Sequence, residues 1–222
     1  ETYTMDKTAP TVTVTPSGTS TNTSPITFTL TFSEAVTGLS SNGISVTNGT
    51  IGTLTGSGNT YSVDVTPTAQ GAVTCTVNAD AAQDSVSNGN TVSNTASVIF
   101  DTVAPTVTVT PSGTSTNTSP ITFTITFSEA VTGLTDVGIT VTNGTKGTLS
   151  GGGNTYTLDV TPTAQGAVTC TVNADEAEDQ ATNRNTVSNT ASVIFDTVAP
   201  TVAVTPPGSP TNTSPITFTL TF

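Results

Sequence analysis

The sequence predicts an all-β protein made of tandem β-sandwich domains, and three features of the chain support this prediction. The first is an internal repeat: residues 6–100 and 101–195 align without a gap and differ at 18 of 95 positions. The second is the strict alternation of apolar and polar residues, which is typical of half-buried strands. The third is the regular placement of turn residues between the alternating segments. A fixed period of domain size indicates an array of equivalent domains.

Each 95-residue unit has the size of one small domain, so two whole domains and two partial ones are expected. Residues 6–100 form repeat 1 and residues 101–195 form repeat 2. Residues 1–5 occupy the place that residues 96–100 hold in the repeat, and we interpret them as the last strand of a preceding unit. Residues 196–222 contain the first strands of a third, incomplete repeat. The chain is therefore interpreted as a window from a longer protein.

The alternating segments predict seven strands in each repeat. Residues 26–32 (ITFTLTF) place four large apolar side chains on one face and three threonines on the other. Threonine and valine are β-branched, which favours the pleated surface of a sheet. In repeat 1 the predicted strands are 11–15, 26–32, 44–46, 51–54, 61–65, 73–77 and 96–100.

Turn residues separate these strands, and no segment carries a helical period. The breakers are residues 16–18 (PSG), 48–49 (NG), 56–58 (GSG) and 88–89 (NG). Seven short strands in about 95 residues, with regular turns, are typical of an immunoglobulin-like β-sandwich. The predicted fold is therefore a row of tandem immunoglobulin-like β-sandwiches of about seven strands each.

The joint between the repeats is expected to be stiff. The linker Asp101-Thr-Val-Ala-Pro105 leads directly into the first strand of repeat 2. Pro105 has a fixed φ and restricts Ala104 to an extended conformation. Because successive strands run in alternate directions, three loops of each sandwich gather beside the preceding linker. We call this the proximal end of the repeat.

The charge of the chain excludes several classes of function. Fifteen acidic residues face three basic ones, which gives a net charge of −12. Such a surface repels nucleic acids and anionic membranes. The sequence also contains no apolar run near the ~20 residues that a membrane-spanning helix needs. We expect no nucleic-acid partner and no membrane insertion in this segment.

Most of the acidic residues map to the proximal ends, where calcium is the predicted cofactor. Ca²⁺ takes six to eight oxygen ligands from carboxylates, amides, backbone carbonyls and water. Glu34 is expected to open the loop after the second strand, and the spacing Asp84-x-x-x-Asn88-x-Asn90 offers more side-chain oxygens on one loop. The alternative is that these residues are solvated acids and turn-forming Asx residues. The predicted metal ligands are Asp6, Glu34, Asp80, Asp84 and Asn88 in repeat 1, and Asp101, Glu129, Asp175, Asp179 and Asn183 in repeat 2.

No catalytic site is predicted, and the protein is not expected to be an enzyme. The sequence contains no histidine, and no nucleophile–base pair can be assembled around Cys75 or Cys170. These cysteines occupy the same position in the two repeats, so neither can form a bridge within its own domain. Each lies in an alternating VTCTV segment and is interpreted as a small buried hydrophobic residue.

Several segments together resemble the bacterial Ig-like repeats of large surface adhesins and biofilm-associated proteins. They are DTVAPTVTVTPSGTSTNTSPITFTITFSEAVTGL, then ITVTNGT, and a D-x-x-x-N-x-N loop. The resemblance covers both whole repeats and the third fragment. It implies a secreted protein displayed at the cell surface, with the repeats acting as a spacer or stalk. It also implies calcium at the domain junctions, and it does not imply catalysis. The expected partners are neighbouring repeats of the same chain.

Two alternative functions remain open from the sequence. The outward threonine rows offer flat polar faces for binding ice or carbohydrate, although aromatic residues for sugar stacking are scarce and Tyr61 and Tyr156 are expected to point inward. The chain is alternatively a protomer of a self-assembling surface fibre, because residues 216–222 would expose an unpaired apolar strand to other copies. We favour truncation of the third repeat over this assembly role. Ice shaping or a glycan-array signal would distinguish a binding module from a spacer.

Overall fold

The protein consists of two complete β-sandwiches followed by a pair of strands. The structure, a computed structural model, describes residues 5–206, 208, 210, 212 and 214–222. The predicted strand at residues 1–5 lies outside the described residues except for Met5, which is exposed. Among the described residues, the helical segments are single turns, and none has the length or apolar character to cross a bilayer.

The strand boundaries are the same in the two repeats, 95 residues apart. Repeat 1 contains β1 (Val12–Thr15), β2 (Thr19–Thr21), β3 (Ile26–Val36), β4 (Ile44–Thr47), β5 (Gly49–Pro67), β6 (Gly71–Val77) and β7 (Ala96–Phe100). Repeat 2 contains β8 (Val107–Thr110), β9 (Thr114–Thr116), β10 (Ile121–Val131), β11 (Ile139–Thr142), β12 (Gly144–Pro162), β13 (Gly166–Val172) and β14 (Ala191–Phe195). The third copy contains β15 (Ala203–Thr205) and β16 (Thr219–Thr221). Single 3-10 turns precede the fourth strand of each repeat, at η1 (Ser41–Gly43) and η2 (Asp136–Gly138).

Each repeat packs two sheets face to face, which confirms the predicted fold class. In repeat 1 the sheets have the orders β1-β3-β5 and β2-β7-β6-β4. The long strand β5 folds back on itself, so that Gly52 lies against the Asp64 backbone and Gly56 against the backbone of Thr60. Gly56 has a φ of 108°, a conformation that favours glycine, and this tight turn separates the two predicted strands within β5.

Strand β2 was not predicted from the sequence. It pairs in parallel with β7, with Thr19 opposite Val98 and Thr21 opposite Phe100. Its sequence, TST, has no apolar alternation, and its side chains are exposed or half-buried. The pairing with β7 therefore defines this strand, and its own residues do not.

The alternating residues build one hydrophobic core in each sandwich. Phe28 and Leu30 are completely buried, and the threonines between and beside them face outward or are partly covered. Tyr61 points inward as predicted, and its hydroxyl donates a hydrogen bond to the carbonyl oxygen of Val36 at 3.0 Å. The ring of Tyr61 also meets Phe32 edge to face, with the ring centroids 5.9 Å apart. Tyr156 makes the equivalent contacts in repeat 2.

The third copy begins with the same strand pairing as the whole repeats. Val204 lies opposite Leu220, as Val14 lies opposite Leu30 in repeat 1. Leu220 is 57% exposed, whereas Leu30 is completely buried. The local pairing of the first strands is therefore retained in the described residues without the burial that the complete sandwich provides.

We expect the two cysteine thiols to be unreactive in the folded protein. Cys75 and Cys170 are completely buried, and this burial raises the pKa of each thiol to about 11. A thiol-exchange reagent at pH 8 should label neither cysteine in the native protein and both in denaturant. The exposed Thr13 provides a positive control, because T13C should be labelled at once. Stoichiometric labelling of the native wild-type protein would contradict this account of the core.

Candidate metal centre

A long loop at residues 78–95 covers the proximal end of repeat 1, and Asn90 organises it. Asn90 is 2% exposed, and its Oδ1 accepts a hydrogen bond from the N–H of Ala82 at 2.7 Å. Its Nδ2 donates to the carbonyl oxygens of Asn78 and Thr91. Asn185 makes the same contacts in repeat 2. The structure therefore gives the last asparagine of the predicted ligand spacing a different role, that of holding the loop together.

Asp84 lies at the base of this loop and is held as a carboxylate. It is 5% exposed, and its Oδ1 accepts hydrogen bonds from the N–H groups of Val86 and Asn88, both at 2.9 Å. Its Oδ2 accepts a hydrogen bond from Asn88 Nδ2 at 2.8 Å. Burial raises the pKa of Asp84, but the hydrogen bonds from Asn88 and the neighbouring N–H groups together outweigh burial and lower it. The loop therefore favours a charged carboxylate at this position.

Glu34 reaches the same place from the second strand. The sequence predicted that it opens the following loop, but the structure places it inside β3, which extends to Val36. The register between β3 and β5 shifts between Thr31 and Val36, and Glu34 lies in this irregular stretch. Such irregularities re-aim side chains at the ends of sheets. A half-buried glutamate is thus presented on a strand to the loop that contains Asp84.

The linker supplies the third carboxylate. In the linker between the two repeats, Asp101 Oδ1 accepts a hydrogen bond from the N–H of Val103 at 2.9 Å. Asn183 Nδ2 donates to the main-chain oxygen of Asp101 and to Oδ2 of Asp179, both at 2.9 Å. The amide of Asn183 therefore connects the linker to the loop of repeat 2. Asn88 makes the same two contacts with Asp6 and Asp84 in repeat 1.

Three carboxylates converge at each proximal end. One carboxylate oxygen from each member lies within 4.8 Å of the others, and the groups are Asp6, Glu34 and Asp84, and Asp101, Glu129 and Asp179. Two oxygens on one Ca²⁺ ion lie at most about 5 Å apart, because Ca–O distances are 2.3–2.6 Å. Both the spacing and the all-oxygen donor set therefore fit a calcium ion.

The other predicted ligands do not join these groups. Asp80 and Asp175 adopt left-handed backbone conformations in the same loops, with φ of 58° and 65°, and lie outside the two groups of three. Asn88 and Asn183 are adjacent to the carboxylates but turn their amide nitrogens toward them. Of the ten predicted ligands, the structure thus brings six carboxylates together in two groups of three. The two asparagines lie beside these groups and support them with hydrogen bonds.

The group in repeat 2 carries electrostatic repulsion. Burial, followed by the charges of Asp179 and Asp101, raises the pKa of Glu129. The basic side chains of repeat 2 are engaged with backbone carbonyl groups: Lys146 contacts those of Asp136 and Ile139, and Arg184 contacts that of Asp175. A cation placed among the three carboxylates would relieve this repulsion.

A set of polar contacts across the junction was not predicted from the sequence. Gln70 of repeat 1 accepts a hydrogen bond from the N–H of Thr102 at 3.1 Å and donates one to its hydroxyl. Asn22 Nδ2 of repeat 1 donates to Asn183 Oδ1 of repeat 2 at 3.2 Å. The N–H of Asp101 also donates to the carbonyl of Thr21 at 3.0 Å. The linker is therefore bound to both repeats at once. The only sequence signal was the recurrence of Gln70 and Thr102 as Gln165 and Thr197, which make the same contact.

The chain belongs to the bacterial Ig-like domain family. The family's sequence model matches residues 6–99 and residues 101–194, one match for each repeat. This confirms the resemblance drawn from the sequence motifs. A search of curated proteins finds no match to this chain.

Three solved structures illustrate what the chain is similar to. The crystal structure of invasin, a bacterial integrin-binding protein, is 20% identical with a TM-score of 0.41, and the comparison covers 88% of this chain and 41% of that one. The Yersinia pseudotuberculosis adhesin InvE is 14% identical with a TM-score of 0.29, covering 84% of this chain and 58% of that one. The C-terminal domain of the Streptococcus agalactiae AgI/II polypeptide BspA is 12% identical with a TM-score of 0.34, covering 84% of this chain and all of that one.

We expect E129Q to stabilise repeat 2 when metal is absent. The substitution removes one of three crowded charges, so in a chelator the unfolding midpoint should rise by a few °C. The pH dependence follows from the raised pKa of Glu129. Because the folded state binds this proton more readily than the unfolded state, acidification from pH 7 toward pH 5 should stabilise the wild-type repeat. That part of the pH dependence should be lost in E129Q.

Thermal unfolding monitored by circular dichroism, at pH 7 and pH 5 with a chelator present, measures both effects. E34Q in repeat 1 removes the equivalent carboxylate and serves as the companion variant. A metal-free E129Q protein that unfolds at a lower temperature than the wild type would contradict the repulsion inferred at this site.

Proposed function

We propose that the chain is a structural spacer, or stalk, of a secreted bacterial surface adhesin, with calcium at its domain junctions. The observation that carries this proposal is the group of Asp101, Glu129 and Asp179, which joins a linker carboxylate to the domain that follows it. The same group recurs 95 residues earlier as Asp6, Glu34 and Asp84. Membership in the bacterial Ig-like domain family supports a surface location and a role without catalysis.

The three carboxylates come from three different structural elements. Glu129 lies on strand β10, in the stretch where the register with β12 shifts between Thr126 and Val131. Asp179 is buried, and Asn183 donates two hydrogen bonds to its carboxylate. Asp101 lies in the linker, so it is the member whose position depends on the preceding repeat. Bound calcium would supply the positive charge that lets these carboxylates occupy one small volume.

The junction already restricts the linker without any ion. Gln70 and Thr21 bind the linker to repeat 1, while Asn183 binds it to repeat 2. Repulsion among the three carboxylates acts against this arrangement. If all three carboxylates bind one cation, their attraction to the ion would exceed their mutual repulsion. This binding would reduce hinge motion at the junction. Repeated along an array, such joints would hold a terminal binding domain at a distance from the cell.

The proposal predicts that D179N abolishes calcium binding at the junction between the repeats. Titration calorimetry of the whole chain should show one ion for each group of three carboxylates in the wild type, and one ion fewer in D179N. The loss is expected because the buried carboxylate is replaced by a neutral amide that is a weaker calcium ligand.

D175N is the matched control for this experiment. Asp175 lies on the same loop as Asp179 but outside the group of three, and asparagine tolerates its left-handed conformation. D175N should therefore bind calcium as the wild type does. An absence of binding heat in the wild type, or equal losses in the two variants, would contradict the assignment. Far-ultraviolet circular dichroism confirms in each case that the variant is folded.

A further inference from the structure

Repeat 1 has a surface groove at the free edge of strand β4. This strand is the outermost of its sheet and pairs only with β6, so its other edge has no neighbouring strand in the described sheet. A groove of about 640 Å³ lies between β4 and the first half of β5. Its lining includes Ser41, Asn42, Ile44, Val46 and Ile51.

Repeat 2 shows which chemical group fits the equivalent place. Lys146 stands where repeat 1 has Ile51, and its side chain reaches across from β12 to the edge of β11. The Nζ of Lys146 donates to the carbonyl oxygen of Ile139 at 3.0 Å and to that of Asp136. Backbone carbonyl groups at this edge therefore accept hydrogen bonds from a primary ammonium group.

The backbone that accepts this ammonium is the same in repeat 1. The 3-10 turn η1 and strand β4 correspond to η2 and β11, and in both turns the first residue's carbonyl also accepts the N–H of the residue after the turn. A carbonyl oxygen has two lone pairs, so the oxygen of Ser41 retains capacity for a second donor. Ile51 carries no donor and packs partly against the core, so its side chain cannot fill the role of Lys146.

The walls and the charge of the protein also suit a lysine side chain. The methylene stem of a lysine packs favourably along apolar surface while its ammonium reaches polar groups. Val46 and Ile51 are half-buried and line the groove, which gives such a stem an apolar surface. The net charge of −12 attracts cationic partners over a distance.

We propose that the groove of repeat 1 binds a lysine side chain of a partner polypeptide. Its ammonium group donates to the carbonyl oxygens of Ser41 and Ile44, and its stem packs along Val46 and Ile51. In repeat 2 the same place is taken by the chain's own Lys146. The two repeats therefore differ in binding capacity although their folds are the same. This inference does not depend on calcium or on the spacer role.

The test uses Nα-acetyl-lysine N-methylamide as the probe, titrated into the isotopically labelled whole chain and followed by backbone amide NMR shifts. We expect saturable shifts at residues 41–46 and 49–52, without matching shifts at residues 136–141 and 144–147. The Nε-acetylated form of the probe lacks the charge and two of the three ammonium hydrogens, and it should give no saturable shift. Equal shifts with both probes would overturn the proposal.

The two repeats provide exchanged variants for the same titration. I51K places a lysine in the groove of repeat 1 and should weaken probe binding about tenfold or more. K146I removes the resident lysine from repeat 2 and should create shifts at residues 136–141. Each substitution introduces the residue that the other repeat already carries at that position. Unchanged binding in I51K, or no new shifts in folded K146I, would each overturn the proposal.

Discussion

The buried asparagines of the loop between β6 and β7 hold together the part of each repeat on which the site depends. This loop spans residues 78–95, and a segment of that length needs internal hydrogen bonds to keep one conformation. Asn90 satisfies its amide on three backbone groups, and Asn88 binds both Asp84 and the linker. These contacts place a buried carboxylate beside a strand glutamate and a linker aspartate. In each group of three carboxylates, a neutral asparagine amide thus donates a hydrogen bond to the buried aspartate.

The alternation of residue types was sufficient to predict the sandwich. The segments 11–15, 26–32 and 73–77 became strands because their apolar residues could all enter one core. The charge distribution also predicted the correct end of the domain for the carboxylate groups. Both are properties of single segments or of their order along the chain, so they can be read without coordinates.

Features that depend on contacts between distant segments were not predictable in this way. Strand β2 exists through its pairing with β7 and has no pattern of its own. Asn88 was predicted as a ligand, and Asn90 as part of a spacing that offers side-chain oxygens, yet their hydrogen bonds make both of them organisers of the loop. Gln70 meets Thr102 across 32 positions, and nothing in either local sequence indicates the contact. The position of Glu34 inside β3 follows from a register shift that alternation does not reveal.

The sequence differences between the two repeats leave the carboxylate groups unchanged. The three carboxylates and the asparagines that support them are the same residues in both repeats, as are the buried tyrosines. Two substitutions are exchanges between buried apolar residues, Leu30 to Ile125 and Val63 to Leu158. Others lie in loops and at strand edges, including Ile51 to Lys146 and Gly89 to Arg184. An array of this kind can keep one type of joint while its domains present different groups to their surroundings.

The distance distribution between the two repeats tests the central claim most directly. Spin labels at T13C and T108C occupy equivalent exposed positions on β1 and β8, and the native cysteines are buried. Pulsed electron–electron double resonance should give a narrow distance distribution with calcium and a broader one in chelator. The distance distribution of D179N should be broad in both conditions. Distributions of equal width with calcium and with chelator in the wild type would contradict a junction that calcium stiffens.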